Sequence, residues 1–416
     1  MTGATIIEKL LTRASDKDTV EPGDIVVAPV DVAVLLDTQF FGPSWEGLRR
    51  VHDPERLAIV LDHAVPAPGV REAAAGTRAR KFAQRFGVRR FLDIGRHGIV
   101  HQVIAERGWA VPGQVLACSD SHTCAAGAFN VAARGLGAAE MMQIVSTGST
   151  WYQVPPTIRY DLEGRLAADV TGKDVFLHIA GAYGDALNHA LEIGGPGLAD
   201  LSISDRHTIA AQGAELGADF TVFPADERCL KYLAERTTAE PSPVSEDAAA
   251  RYAVRRTVDL DVVEPMLARP GAVIDNTVPV RGVGQVRLDQ CFIGSCANGK
   301  IADLEIAARI LAGRTVAAGT RLIITPASQA TYLEASRRGY LSTFVEAGAV
   351  VTNPTCGACF GYHLGVVGPG EVCLTASTRN FRGRMGSPDA EIYMASPATA
   401  AASAIAGRII DPRELA

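Results

Sequence analysis

Short apolar runs of about strand length recur along the chain, at residues 24–30, 114–118, 291–293, 321–325, 349–352 and 371–375, and several are separated by stretches of helical spacing. This alternation predicts an α/β protein with largely parallel sheets. Polar clusters follow the runs closely. Ser119, Asp120, Ser121 and His122 come after one; Gly294, Ser295 and Cys296 after another; Asn353 to Cys356 after a third; Ser377, Thr378 and Arg379 after a fourth. Ligands of open α/β sheets bind beyond the carboxyl ends of strands, so these clusters are expected to converge on one cleft. Ile301, Leu304, Ala307, Ala308 and Leu311 share a helical face, with Asn298 as the expected cap and Gly313 as the stop. On this reading Cys296 lies just before a helix N-terminus, where a thiolate is favoured. A last helix is expected to start at Ser396 and Pro397, with small residues that permit close packing. Residues 237–247 have no apolar period and read as a surface loop before a domain boundary.

With 416 residues the chain is long enough for two to three domains. A formal charge of -6 and the lack of a basic block argue against nucleic acid or an anionic membrane as partner. No apolar stretch approaches the roughly 18 residues needed to span a bilayer. The charged helical pattern over residues 1–18 does not read as a signal peptide, and a cytoplasmic location is expected. The eight cysteines have no regular spacing, so they do not read as a disulfide framework.

Cys356 and Cys359 share one tight turn, and Cys296 sits on a separate strand-to-helix turn. A lone C-x-x-C suits a structural zinc pair, a redox pair or an iron-sulfur cluster about equally. Three thiolates from two turns could hold three corners of an iron-sulfur cube and leave the fourth iron open as a Lewis acid. Cys118, Cys124, Cys229, Cys291 and Cys373 read as buried structural thiols. Asp62 beside His63, and Asp120 two residues before His122, are carboxylate–imidazole pairs at strand ends and are suited to acid–base work. His101 opens a similar loop-to-helix segment. Arg379, Arg382 and Arg384 offer guanidinium forks that match carboxylates, so a dicarboxylate or tricarboxylate is the natural ligand.

These segments occur in the order and spacing of one family. They are Asp62 with His63; His101 with Gln102; Asp120 to Thr123; Ala214 to Ala218 with Phe223; Ile293 to Asn298; Thr355 to Cys359; Pro369 to Cys373; and Arg379 to Arg384. Together they resemble the aconitase superfamily, in its branch of 3-isopropylmalate dehydratase and homoaconitase large subunits. The resemblance implies a three-domain α/β/α body, divided at 1–155, 156–265 and 266–416, without the swivelling fourth domain. It implies a [4Fe-4S] cluster on Cys296, Cys356 and Cys359, and dehydration and rehydration of a hydroxy di- or tricarboxylate such as 3-isopropylmalate. By the same resemblance, His63 supported by Asp62 protonates the departing hydroxyl. Asp120 and His122 hold the water network, His101 pairs with Glu215, and Arg379 and Arg384 clamp carboxylates with help from Ser121. A separate small subunit carrying the swivel domain is the implied partner, supplying a serine base and a further arginine, so the chain ending at Ala416 is expected to be incomplete alone. A non-catalytic cluster-binding sensor on the same fold is the alternative, and the acidic charge argues against it. Leu36, Ala211, Ala297 and Thr378 depart from the family pattern, and a pocket reshaped for a less polar or differently substituted malate is the expectation they raise.

Overall fold

The computed structural model describes residues 3–415; Met1 and Thr2, at the head of the first expected helix, and Ala416 lie outside the described residues. Helix Ile6–Arg13 accounts for most of the remaining N-terminal pattern and starts with a capping box between Thr5 and Glu8.

Three sheets carry the architecture. The first has five parallel strands in the order Arg90–Leu92, Leu57–Val60, Val32–Leu36, Val115–Cys118 and Ala132–Gly135. Its three central strands are buried along their whole length. They are therefore continuously apolar, as expected of parallel strands covered on both faces. The second sheet is also parallel, in the order Phe220–Val222, Ala190–Gly194, Thr157–Glu163 and Val254–Asp259. The third has seven strands: Thr277–Pro279, Met266–Ala268, Glu391–Ala395, Val372–Thr375, Gln290–Ile293, Arg321–Ile324 and Val350–Val351. Its first two strands are antiparallel and the other five run parallel. The run at 24–30 is a strand as expected, Ile25–Pro29, but it forms a separate antiparallel ribbon with Ser149–Gln153.

Helices cover these sheets. Val70–Phe86 buries Ala75, Ala79, Phe82 and Ala83 on one face and ends at Gly87 in the left-handed conformation. Pro397–Ala406 begins at the Ser396 cap and packs on Ile301–Leu311, with Ala398, Ala400, Ala401, Ala402 and Ala404 fully buried between them. The largest apolar core takes in Val34 and Leu116 of the first sheet, Tyr160 and Ile193 of the second, and Met394 of the third. The sheets are thus held against one another by shared burial. Among the described residues no helix is long and apolar enough to cross a membrane.

Two local expectations change. Asn298 does not cap the helix after Cys296. Lys300 occupies that position, with Asp303 closing the backbone of the first turn, while the Asn298 amide donates to Asp303 at 2.9 Å. Cys296 instead belongs to a separate single turn, Ser295–Asn298, entered through Ser295 at a φ of 76°. One turn has too few aligned peptides for a strong dipole. Burial dominates, and it pushes the Cys296 thiol well above its ordinary pKa, with nearby Cys359 adding and Lys300 opposing.

Candidate active site

The carboxyl ends of the first and third sheets meet around one small cavity of about 80 Å³. From the first sheet, strand Leu57–Val60 delivers Asp62 and His63, and strand Val115–Cys118 delivers Asp120, Ser121 and His122. From the third, strand Gln290–Ile293 delivers Cys296, strand Val350–Val351 leads to Cys356 and Cys359, and strand Val372–Thr375 leads to Thr378, Arg379 and Arg384. His101 enters from helix Val100–Glu106. Eleven of the twelve candidate residues line this cavity. The twelfth, Glu215, reaches it through contacts with His122 and Arg379.

Asp120 is the hub of the acid–base groups. Its carboxylate accepts the His122 backbone N–H at 2.8 Å, lies 2.7 Å from His101 Nε2, and lies 3.8 Å from His63 Nε2. Burial would favour its neutral form, but the bonds from His101 and His122 prevail and hold the carboxyl well below the usual range. Close backbone packing fixes the hub, because a Cβ on Gly135 would stand 2.2 Å from the Asp120 carbonyl oxygen.

The implied pairing of His101 with Glu215 is not what the structure contains. His101 pairs with Asp120, while His122 Nε2 lies 2.8 Å from Glu215. The short helical turn Gly213–Leu216 brings Glu215 beside the Asp120–Phe129 segment rather than beside helix Val100–Glu106. Glu215 also accepts from Arg379 Nε at 2.7 Å, and Arg379 Nη2 donates to Ser121 at 3.0 Å.

His63 has a partner that the motifs do not reveal. Asp37, immediately after strand Val32–Leu36, lies 3.7 Å from His63 Nδ1 and accepts the backbone N–H groups of His63 and Ala64. Asp62 is slightly farther, at 3.9 Å, and its Oδ2 accepts the Val100 backbone N–H, leaving Oδ1 without a hydrogen-bond partner. Burial alone would deprotonate His63. The carboxylates of Asp62, Asp37 and Asp120 outweigh it and hold the imidazolium up to about 10. Burial raises Asp62 to about 7, with Asp37 adding and His63 opposing.

On the opposite wall, the neighbouring Cys356, the Arg384 guanidinium and the Thr378 backbone hold the buried Cys359 toward the thiolate. Arg384 Nη2 lies 3.9 Å from Cys359, its guanidinium lies 5.7 Å from the Phe360 ring centre and 5.9 Å from that of Phe381, and its buried Nε has no partner. Among the described residues, no three His, Cys, Asp or Glu side chains converge as ligands of a single metal ion. Three thiols set around one cavity instead suit a polynuclear group that takes one thiolate per iron. The donor set therefore fits an iron-sulfur cluster better than a lone zinc.

Two buried lysines stand behind this wall. Lys300 donates to Thr208 at 2.8 Å and also bonds the Ala297 carbonyl, with Asp303 at 3.4 Å. Lys173 donates to the Ser377 carbonyl at 2.7 Å. The other five cysteines are buried and free, as expected. Of the four departures from the family pattern, only Thr378 lines the cavity; Leu36, Ala211 and Ala297 are fully buried in the core. The expectation of a reshaped pocket thus bears directly on Thr378, with the other three positions set in the core.

The model of the aconitase family (aconitate hydratase) matches residues 51–284 and 271–407. The chain is 58% identical to the 3-isopropylmalate dehydratase large subunit of Mycolicibacterium smegmatis, over 99% of this chain and 98% of that relative. It is 42% identical to the 3-isopropylmalate dehydratase large subunit 1 of Methanopyrus kandleri, over 99% of both. Among solved structures, aconitase X of Thermococcus kodakaraensis in its holo-form matches with a TM-score of 0.50 and 11% identity, over 85% of this chain and 84% of that one. That last likeness concerns the fold.

Proposed function

The chain belongs to the aconitase family and is a hydro-lyase, and from that premise we propose that it is the large subunit of an enzyme that dehydrates and rehydrates 3-isopropylmalate with a [4Fe-4S] cluster on Cys296, Cys356 and Cys359. The observation that carries this reading is the shared cavity, in which three thiols face a histidine–carboxylate hub and two arginines. A non-catalytic sensor would have no use for that hub. A small subunit completes the site in this reading, and the enzyme works in the cytoplasm. The body is divided at 1–155, 156–265 and 266–416, because each sheet falls within one of those segments.

When bound, the cluster supplies an electrophilic iron that weakens the bond between carbon and the departing hydroxyl. The chain's own groups do the rest. Arg384, with an unpaired Nε, and Arg379 receive the substrate carboxylates, and Ser121 steadies Arg379. His63, kept protonated by three carboxylates, gives its proton to the leaving oxygen. Asp62 has a free Oδ1 and a raised pKa, so it can exchange a proton with the same locus. His101, His122 and Glu215 hold Asp120 and Arg379 in place. The base for the carbon-bound proton comes from the small subunit.

The test is anaerobic reconstitution with iron and sulfide, addition of the separately prepared small subunit, and measurement of 3-isopropylmalate consumption beside citrate. Turnover of 3-isopropylmalate with citrate left untouched is the expected result; a loaded two-subunit enzyme inert toward 3-isopropylmalate would reject the substrate assignment.

The arginine clamp gives a narrower expectation. Arg384→Lys keeps the charge and loses the fork. A lost charged hydrogen bond is worth about 1.5–3 kcal/mol. KM for 3-isopropylmalate should accordingly rise roughly ten- to hundredfold with iron content unchanged, as read from substrate titration of the holoenzyme. An unaltered KM would take Arg384 out of substrate binding.

A further inference from the structure

Lys173 is the second residue of helix Gly172–Tyr183 and is fully buried. Three features of its position disfavour a cation. Burial removes its hydration. The start of a helix already carries partial positive charge. The neighbouring ammonium of Lys300 repels it. Its visible partners do not offset these costs, since they are the Ser377 carbonyl oxygen at 2.7 Å and the Met394 sulfur at 3.7 Å. Among the described residues no carboxylate lies within 4 Å of its ammonium. Asp174, next in sequence, spends its oxygens on the backbone N–H groups of Thr171 and Met266. Asp303, the acid on the Lys300 side, is bound by Lys300 and Asn298.

What favours a charge on Lys173 is foremost negative charge on the sulfurs of Cys296 and Cys359, and both residues line the cavity. Cys359 is tied to the same segment, because Thr378 lies 3.9 Å from its sulfur and Lys173 holds the adjacent Ser377 carbonyl. Burial otherwise drives Lys173 down to about 7.

We propose that Lys173 is a positioning residue for the cofactor: its buried ammonium is the fixed counter-charge of an anionic, thiolate-held cluster, and it anchors the Ser377 carbonyl beneath the cluster wall. The cost of burying the lysine without the cluster is offset once the anionic sulfur is in place. This rests on the cluster reading given above. It goes further in assigning a residue far from the cysteines in sequence to cofactor retention.

The inference predicts a small effect on the apo form and a larger one on the loaded form. Lys173→Met keeps the length and apolar stem of the side chain and removes the charge. Apo Lys173→Met should melt close to apo wild type, because the loss of an uncompensated buried cation offsets the loss of the hydrogen bond to the Ser377 carbonyl. The rise in melting temperature on anaerobic cluster loading should be smaller in the variant, and a ferrous chelator should strip its iron faster by about tenfold. The midpoint potential of the cluster should move to more negative values, since a nearby positive charge favours the reduced state. An increment on loading, a chelation rate and a potential all equal to wild type would overturn the proposal while leaving the cluster reading intact. Wild-type protein that takes up no iron or sulfide would overturn both. If both Lys173→Met and Lys173→Gln, which keeps an N–H donor without charge, melt far below apo wild type, the lysine's role is ordinary packing and the proposal fails.

Discussion

Cys296→Ser should give a folded, colourless protein with no measurable turnover after reconstitution. The substitution changes the donor and little else. Cys296 packs against Ile99 and Ala327, and serine fits that volume. A hydroxyl ionises far less readily than a thiol, and it lacks the polarisable sulfur that iron-sulfur clusters select. The remaining thiols, Cys356 and Cys359, come from one turn, so loss of Cys296 removes the one donor that a second segment supplies. Cys291→Ser is the matched control. Cys291 is equally buried in the strand that leads to Cys296, and the sequence offers it the same chemistry, but it does not line the cavity. That variant should lose about 1–3 kcal/mol of stability from a buried hydroxyl and keep its iron. Iron and sulfide analysis, visible absorbance and thermal melting of both variants make the comparison. Wild-type iron content in Cys296→Ser would remove that residue from the ligand set and with it the basis of the cluster reading.

The parts of the site that can be read from the chain are those that sit beside a strand end with a partner a few residues away. Asp62 with His63, Asp120 with His122, and Cys356 with Cys359 are all of this kind, and the parallel sheets bring their strand ends to one cavity. Asp37 has no such neighbour. It follows an unbroken apolar strand, and its relation to His63 exists only because strands Val32–Leu36 and Leu57–Val60 pair in parallel register. The buried lysines were hidden for another reason, since Lys173 and Lys300 carry residue types that local pattern assigns to the surface. The exchange of partners among His101, His122 and Glu215 shows a third limit. Each residue was identifiable as polar and well placed, but which imidazole meets which carboxylate depends on how the Gly213–Leu216 turn docks, and a spacing along the chain does not contain that distance. The Ile25–Pro29 strand behaves similarly, since its alternation of exposed and buried residues marks a strand, while its partner lies more than a hundred residues away.

His63→Gln should lower kcat by on the order of 10²–10⁴, the span expected when a positioned proton donor is removed, while iron and sulfide content stay at wild-type levels. The geometry separates this effect from a structural one. His63 is held at its backbone by Asp37, which accepts the N–H of His63, and by Thr355, whose hydroxyl donates to the Asp62 carbonyl at 2.8 Å and the His63 carbonyl at 3.2 Å. Glutamine retains those backbone contacts, and the turn that leads to Cys356 keeps its bond from the Cys356 N–H to the Asp62 carbonyl. What disappears is the proton-bearing ring that stands edge-on to Phe360 at 4.8 Å. The carboxylates around it also lose their compensating cation. Asp62 is already raised to about 7 by burial, and His63 is the largest influence that lowers it, so Asp62 should hold a proton more readily in the variant. Asp37→Asn tests the same site from behind. It leaves the imidazole and takes away one of the charges that keep it protonated, so kcat should fall less than in His63→Gln, with KM near wild type because neither arginine is touched. A His63→Gln enzyme that turns over 3-isopropylmalate at the wild-type rate would show that the hydroxyl leaves without this proton. The donor would then have to be sought at Asp62 or among the histidines on Asp120.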